Sequence, residues 1–591
     1  MSTSDLLDSF NTAPPLTRDH VLLDPSESTL LTTMLVHNIL RIITSHGGAS
    51  FARFAPNVER SLPRSTECIP LHKTEVYPLR AMNIEEASIK GNAEVPETMF
   101  GELGHDLDST TFTDTVKIVF GDQLSVARIR AVINNRAGHD SLSKSLLYAA
   151  FAPGLFHYQM AATYGVLETH WGNPSLGHHD PACLSWHNTV LDRKPFVLTN
   201  KPPYRVARDL IFHSLYARLI HCLELVTACD DLEDYAQNVS FDELQEHVHE
   251  IVARFVNPSS VSKLRSARSR ETTLHAREDP LPAPAQGDMV FENACLFLRD
   301  ALILRELTDS IKAGDSGRLV IILKTMALSY RGSGRTKYAQ ETLFVIHNLA
   351  HVWPKPLRAI MINNWLVNTT GKPDHWYPVD LLQEHNIFWT KTIYNAQGSG
   401  ASWDWLEMIS PCINILRRLV TSVNDTLGSR QGTKHAAPDI KRDMEELRRS
   451  LAGANVYKIE KGRVIDGTKA VVPNVISVGL LHLAGSLGEY NKMFTRLKKR
   501  RVRTSPLIGG AIVGGSTSRA VASPRPSSDS SLTDVPSNGG GYIEPSVEAS
   551  ELQEGSDDEE QDEGDEEIES WLEPEQLFSL DDEGDVELYV D

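Results

Sequence analysis

Asp122 and His157 have types and positions that suit chemistry, because both fall where a strand is predicted to hand over to a helix. Thr115-Val116-Lys117-Ile118-Val119-Phe120 is a β-branched, apolar run that predicts a buried strand ending at Gly121-Asp122-Gln123. Leu124, Ala127, Ile129 and Val132, interleaved with Arg128 and Arg130, predict a helix with one wet face directly afterwards. In a second unit, Pro153-Gly154 breaks the chain, Leu155-Phe156-His157 reads as a short strand, and Tyr158 to Thr169 reads as helix. Side chains at the carboxyl ends of strands in open α/β sheets line the clefts where ligands bind. The same two residues also suit a plainer arrangement, with Asp122 capping its helix and His157 a hydrogen-bonded core histidine. A third group lies far along the chain. Val379 to Trp389 predicts a helix with Asp380 and Glu384 four apart on one face and His385 beside them, a spacing equally at home on a solvated surface.

The elements that must position these groups are mostly helical. Met1 to Ser28 is polar and contains prolines, and is expected to be poorly ordered; Leu30 to Ile43 is the first convincing helix. Residues 29–503 read as the body, with the strand–helix units at 113–171 as its centre. Asp209 to Cys229 predicts a long core helix, and Asn257 to Gly287, polar, basic and then Pro-rich, a mobile surface insertion. Residues 288–503 are predicted to be largely helical, including Ala294–Ala313, Arg318–Tyr330 and Thr336–Val352. From Thr504 the composition turns to Ser, Pro and Gly and then to acid, predicting a disordered acidic tail over 504–591. The fold class expected is α/β and helix-rich.

Charge separates the tail from the body. The chain of 591 residues carries a formal net charge of -20, and residues 551–591 hold 20 Asp and Glu with no Lys or Arg, so residues 1–550 are formally neutral. The body lacks a global positive field for nucleic acid, which leaves only local patches for that purpose. One such patch is the octet Arg496 to Arg503, in which Arg496, Lys498, Lys499, Arg500, Arg501 and Arg503 are basic; it suits nuclear import or phosphate contacts, and equally a solvated helix end. The tail intersperses acid with Trp571-Leu572 and Leu577-Phe578, a pattern suited to docking on a basic or apolar protein partner. No apolar run approaches the roughly 20 uncharged residues of a membrane span, and the N-terminus lacks a signal-peptide pattern. The six cysteines are scattered, with no C-x-x-C pair. An intracellular protein with reduced thiols is expected, with the nucleus as a destination the basic octet would serve.

Other motifs are weaker. His178, His179, Cys183 and His187 have soft-ligand spacing but no second pair of the Cys-x-x-Cys kind, so a polar loop is favoured over zinc. Gly332-Ser333-Gly334-Arg335-Thr336-Lys337 departs from the order of a phosphate loop and reads as a turn. Neither a G-x-S-x-G elbow nor an H-E-x-x-H helix is present, which disfavours the hydrolases that carry those signatures.

Several spaced stretches carry a resemblance. Phe120-Gly121-Asp122-Gln123-Leu124-Ser125-Val126-Ala127-Arg128, Pro153-Gly154-Leu155-Phe156-His157, Arg299-Asp300-Ala301-Leu302, Lys312 to Arg318, Asn363-Asn364-Trp365-Leu366-Val367-Asn368 and Gln383-Glu384-His385-Asn386 resemble the domain-of-unknown-function family 6589 of mushroom-forming fungi over roughly residues 25–500. That family in turn looks like the later half of RNase H-like transposase cores, with a large helical insertion. The resemblance implies a mobile-element origin and a divalent metal, Mg²⁺ or Mn²⁺, acting on a phosphodiester of DNA. It casts Asp122 as a metal ligand, Glu384 as the late-helix carboxylate, and His157 as a group that orients or binds phosphate. Lys498, Lys499, Arg500, Arg501 and Arg503 would contact nucleic acid. This chain departs from the pattern at its start: residues 1–113 contain no Asp-Asn pair to supply a first carboxylate, and Ile84-Glu85-Glu86 stands where related chains read Ile-Asp-Glu. An inactive descendant is therefore part of the expectation, as is the alternative of a non-catalytic scaffold that binds nucleic acid or protein through the basic patch and acidic tail.

Overall fold

Met289–Ala313 forms the central helix, and nearly every side chain along it is buried, including Glu292, Arg299, Asp300, Arg305, Glu306 and Asp309. A helix apolar on all sides belongs in a core, and the charges within this one are retained because each meets a partner. Arg299 pairs with Asp300 at 2.7 Å, Arg305 with Asp309 at 3.0 Å, and Arg318 of the next helix with Glu306 at 2.6 Å. Around it pack the helices Pro25–His46, Leu155–His170, Tyr204–Thr227 and Ser316–Gly332. The structure, a computed structural model, describes residues 1–85, 88–136, 142–229, 231–275, 285–394, 402–429, 439–466 and 471–504, which fall in one compact unit. The acidic tail, the Pro-rich part of the expected insertion and Glu86 lie outside the described residues, as does the side chain of Arg503.

The protein is helix-rich, as expected, and its described strands form two small sheets. β1 (Lys117–Gly121) runs parallel to β2 (Ala149–Pro153), with Lys117 opposite Ala149 and Gly121 opposite Pro153. β3 (Leu366–Val367) and β4 (Tyr377–Pro378) form an antiparallel pair. Two readings change here. The second strand precedes the Pro153-Gly154 break instead of following it, so Leu155-Phe156-His157 opens a helix, Leu155–His170. β1 is half-buried instead of buried, because β2 is its one partner among the described residues.

Two further expectations are corrected. Residues 1–28 are not loose: Thr3–Thr12, Arg18–Val21 and the start of Pro25–His46 are helical, and Leu6, Leu7, Phe10, Leu16 and Val21 are buried. Ser2 and Asp5 cap the first helix reciprocally, and its apolar residues find cover at the far end of the chain, which local composition does not reveal. Within the expected insertion, Ser259–Leu274 is a helix. Its Arg265 and Arg268 reach the fully buried Glu292 at 3.2 and 2.6 Å, so its polarity serves a buried partner. Tyr204–Thr227 is long and apolar enough to cross a membrane by length and composition, but 78% of its apolar window is buried inside the protein, as in a core helix.

Candidate functional site

β1 and β2 end side by side, and the backbone N–H of Gly154 donates to the carbonyl of Gly121 at 2.7 Å. This bond ties the turn after β1, which carries Asp122, to the turn after β2, which leads into His157. Asp122 is the N-cap of Gln123–Asn135: Oδ1 accepts from the Ser125 N–H at 2.6 Å and Oδ2 from the Ser125 hydroxyl at 2.9 Å. The capping role weighed from the sequence is therefore present, and a cap of this kind stabilises a helix by about 1 kcal/mol.

His157 lies in the first turn of Leu155–His170, a helix whose N-cap is Gly154 and which has no side-chain cap of its own. The cap arrives from the other end of the protein. Asp380, in the first turn of Val379–Tyr394, accepts from the Phe156 N–H at 3.0 Å, from the His157 N–H at 3.3 Å and from the His157 ring Nδ1 at 3.1 Å. A carboxylate at a helix N-terminus meets unsatisfied N–H groups and the positive end of the dipole together. Gly154 is what lets it approach: a Cβ there would stand 2.1 Å from the Asp380 Cγ.

Glu384 follows one turn along the same helix and is half-buried. Its charge, with those of Asp380 and Asp122, acts on His157. Burial, the largest influence on this imidazole, pushes its pKa down. The hydrogen bond and charge of Asp380, then the charges of Glu384 and Asp122, outweigh burial and raise it to about 9. Its Nε2 is buried and has no hydrogen-bond partner. Three carboxylates, one from the turn after β1 and two from a late helix, thus act on one histidine whose second ring nitrogen is uncommitted.

Asp122 and Glu384 lie near enough for their charges to act on His157. The structure adds Asp380, visible from the sequence only as a charged helix residue, and Gly154, visible only as a breaker. A signal for Asp380 was its place at the start of a helix rich in buried aromatics, but no local pattern names a partner so distant in sequence. Among the described residues, no three His, Cys, Asp or Glu side chains are arranged closely enough to share one ion.

The basic octet is divided. Lys498 donates to the Ala13 carbonyl at 3.1 Å, and Arg501 lies over the Phe10 ring at 4.0 Å, where burial lowers its guanidinium to about 10. Lys499 and Arg500 are exposed on the same helix, Val475–Thr504. The His178–His187 group does not converge: His178 and His179 are exposed, whereas His187 is buried near Arg218 and held well below the ordinary imidazole range, by burial first and then by that charge. Cys183 caps its own helix, and burial pushes its thiol up to about 12. Ser333 to Arg335 make the expected turn between the helices Ser316–Gly332 and Thr336–His347, with Arg335 paired to Glu168 at 2.9 Å.

These features define a helix-rich protein with a small parallel strand pair and an acidic centre built on a histidine. The chain belongs to the Family of unknown function (DUF6589), whose profile matches residues 10–435. Neither the curated proteins nor the solved structures compared with it contain a match.

Proposed function

We propose that the chain is a phosphodiester-processing protein of RNase H-like ancestry, derived from a mobile element and either active with a divalent metal or an inactive descendant, with Asp122 and Glu384 as the metal ligands and His157 as the group that orients or binds phosphate. The observation that carries this reading is the uncommitted Nε2 of the buried His157. Its Nδ1 is fixed by Asp380 and the charges of Asp122 and Glu384 act upon it. A charged imidazole whose Nδ1 is held by a carboxylate presents its Nε2–H as a donor to a phosphate oxygen. Two carboxylates suit either Mg²⁺ or Mn²⁺, both of which take oxygen donors.

Bound there, the ion would activate water and stabilise the leaving oxygen of a phosphodiester. The protein's own contributions are the ring orientation set by Asp380 and the placement of Asp122 by its cap. Parallel β1 and β2, with Asp122 at a strand end and a late helix returning Glu384, support the RNase H-like ancestry. A second reading, a non-catalytic scaffold that binds DNA, is favoured by the exposure of Lys499 and Arg500.

Isothermal titration of Mn²⁺ into the full chain, compared with Asp122→Ala and Glu384→Ala, separates the two. Binding lost in both variants, accompanied by Mn²⁺-dependent nicking of supercoiled DNA in the wild type, is expected. Binding indifferent to both substitutions would sink the metal reading and leave the scaffold.

A further inference from the structure

β1 has an edge without a partner among the described residues. The Lys117 N–H donates to the Tyr148 carbonyl at 2.9 Å, and the Gly154 N–H to the Gly121 carbonyl at 2.7 Å. These bonds and the parallel register turn the backbone groups of Lys117, Val119 and Gly121 toward β2 and those of Ile118 and Phe120 away from it. Every residue of β1 is half-buried, and every residue of β2 is buried. Successive side chains of a strand point to opposite faces, so an open face would show alternating exposure; uniform half-burial places the opening at the edge. The same edge is occupied just before β1, where the Val116 N–H donates to the Met1 carbonyl at 3.2 Å and the Thr3 N–H to the Asp114 carbonyl at 2.8 Å. Pairing stops there. Open edges are ordinarily guarded by a proline, a bulge or an outward lysine. β1 has neither a proline nor a break in register, and Lys117 folds its ammonium onto the Phe112 and Thr115 carbonyls at 2.6 and 2.9 Å.

We propose that Val586-Glu587-Leu588-Tyr589-Val590, which lies outside the described residues, docks on this edge as a third strand. Val586, Leu588 and Val590 fall on one face and Glu587 and Tyr589 on the other, the period and the β-branched and aromatic content of a strand, and the five residues match the five of β1. Other apolar runs past Thr504 suit a strand less: Leu507 to Gly515 carries four glycines, and Leu577-Phe578-Ser579-Leu580 has no β-branched residue. The route is short. Val475–Thr504, which leads to the tail, packs Phe494 on Phe10 and sets Arg501 over the same ring, and the helix of Phe10, Thr3–Thr12, starts where Ser2 pairs with Thr115, two residues before β1. The 10 residues of that helix span about 15 Å. A connection of 81 residues, 505–585, covers about 50 Å at coil dimensions and keeps the segment at millimolar effective concentration. The contact does not depend on the metal reading. A third strand would nonetheless fix β1, whose last residue precedes Asp122, and so tie the tail to the acidic centre.

The test is amide hydrogen exchange on the full chain at single-residue resolution, comparing the wild type with a variant carrying Glu587→Pro and Leu588→Pro together. Successive N–H groups of a strand alternate in direction, so one of the two prolines always removes a donor facing β1, and neither touches the described body. Expected is exchange at Ile118 and Phe120 at least about tenfold slower in the wild type than in the variant, with Val119, bonded to β2, alike in both. A synthetic peptide of residues 585–591 added to the variant should restore the protection. Protection in the wild type should also persist on about hundredfold dilution, as a contact within one chain requires. Equal exchange at Ile118 and Phe120 in the two chains would overturn the third strand. Protection that disappears on dilution would also overturn it, by assigning the edge to a second copy.

Discussion

Asp380 carries more of the centre than any other side chain, since it caps one helix, orients His157 and holds the imidazole charged. Removing it leaves two N–H groups and a buried imidazolium without their acceptor. Breaking a buried pair in this way costs about 3–5 kcal/mol. Asp380→Ala is therefore expected to lower the urea midpoint sharply, with Asp380→Asn less damaging because its amide oxygen still accepts from the helix. The histidines also set a pH optimum. His157 is raised from 6.5 to about 9, so its contribution is complete below pH 6.5 and is lost as pH climbs through 9, about 3 kcal/mol in all. His37 and His347 are lowered from 6.5 to about 4, His37 by burial and then the Arg41 and Arg318 charges, His347 by burial against the Pro14 carbonyl's opposing pull. Both must stay neutral, so stability falls as pH drops from 6.5 toward 4. Denaturation across this range should show a maximum near pH 6.5, and His157→Gln should flatten the alkaline side alone. An unchanged alkaline limb in that variant would remove His157 as the cause.

At the level of elements, close approaches decide what can pack. Gly479 brings Val475–Thr504 against Ser316–Gly332: a Cβ there would stand 2.0 Å from the Leu328 carbonyl oxygen, and one at Gly332 1.8 Å from that of Val475. Backbone cannot yield as a flexible side chain can, so Gly479→Ala is expected to cost at least the 1–3 kcal/mol typical of overpacking, about what separates a stable from a marginal domain. Gly154→Ala should act differently, pushing Asp380 away and thereby reproducing the Asp380→Ala pH profile, which a titration of His157 by NMR would register. These glycines show where sequence reading stops. β1, its following helix and the Asp122 cap were legible because their signals are local: a β-branched run, a Gly-Asp turn and helical periodicity. The position of β2 was not, since Ala149-Ala150-Phe151-Ala152 lacks β-branched residues and takes its conformation from pairing with β1. Asp122, His157 and Glu384 were singled out at two expected strand ends and on a late helix, and were linked to one another only through the family resemblance. The role of Asp380 did not, because its partners depend on how two distant helices dock.

Across the whole molecule, the two ends of the described chain close on each other. Phe10 packs on Phe494 with centroids 4.9 Å apart and supports Arg501, and Asn491 exchanges hydrogen bonds with the Leu16 backbone at 2.9 and 2.8 Å. His347 joins this seam: its Nε2–H donates to the Pro14 carbonyl at 2.8 Å and its Nδ1 accepts from the Tyr490 hydroxyl at 3.0 Å. The seam explains both why residues 1–28 are ordered and why the basic octet is only partly available. Arg501 lies over an aromatic ring and Lys498 on a carbonyl, while Lys499 and Arg500 are exposed. Phe10→Ala should therefore have two effects of one origin. It should destabilise the fold by about 3–5 kcal/mol, as truncation of a buried aromatic does. It should also release Arg501, adding a phosphate contact that steepens the salt dependence of any DNA binding by about one counterion. Fluorescence anisotropy with a labelled duplex at several salt concentrations measures that slope. A slope unchanged in Phe10→Ala, with the seam shown to be loosened by faster amide exchange at Phe494, would mean that the octet takes no part in nucleic-acid contact and serves only to close the chain upon itself.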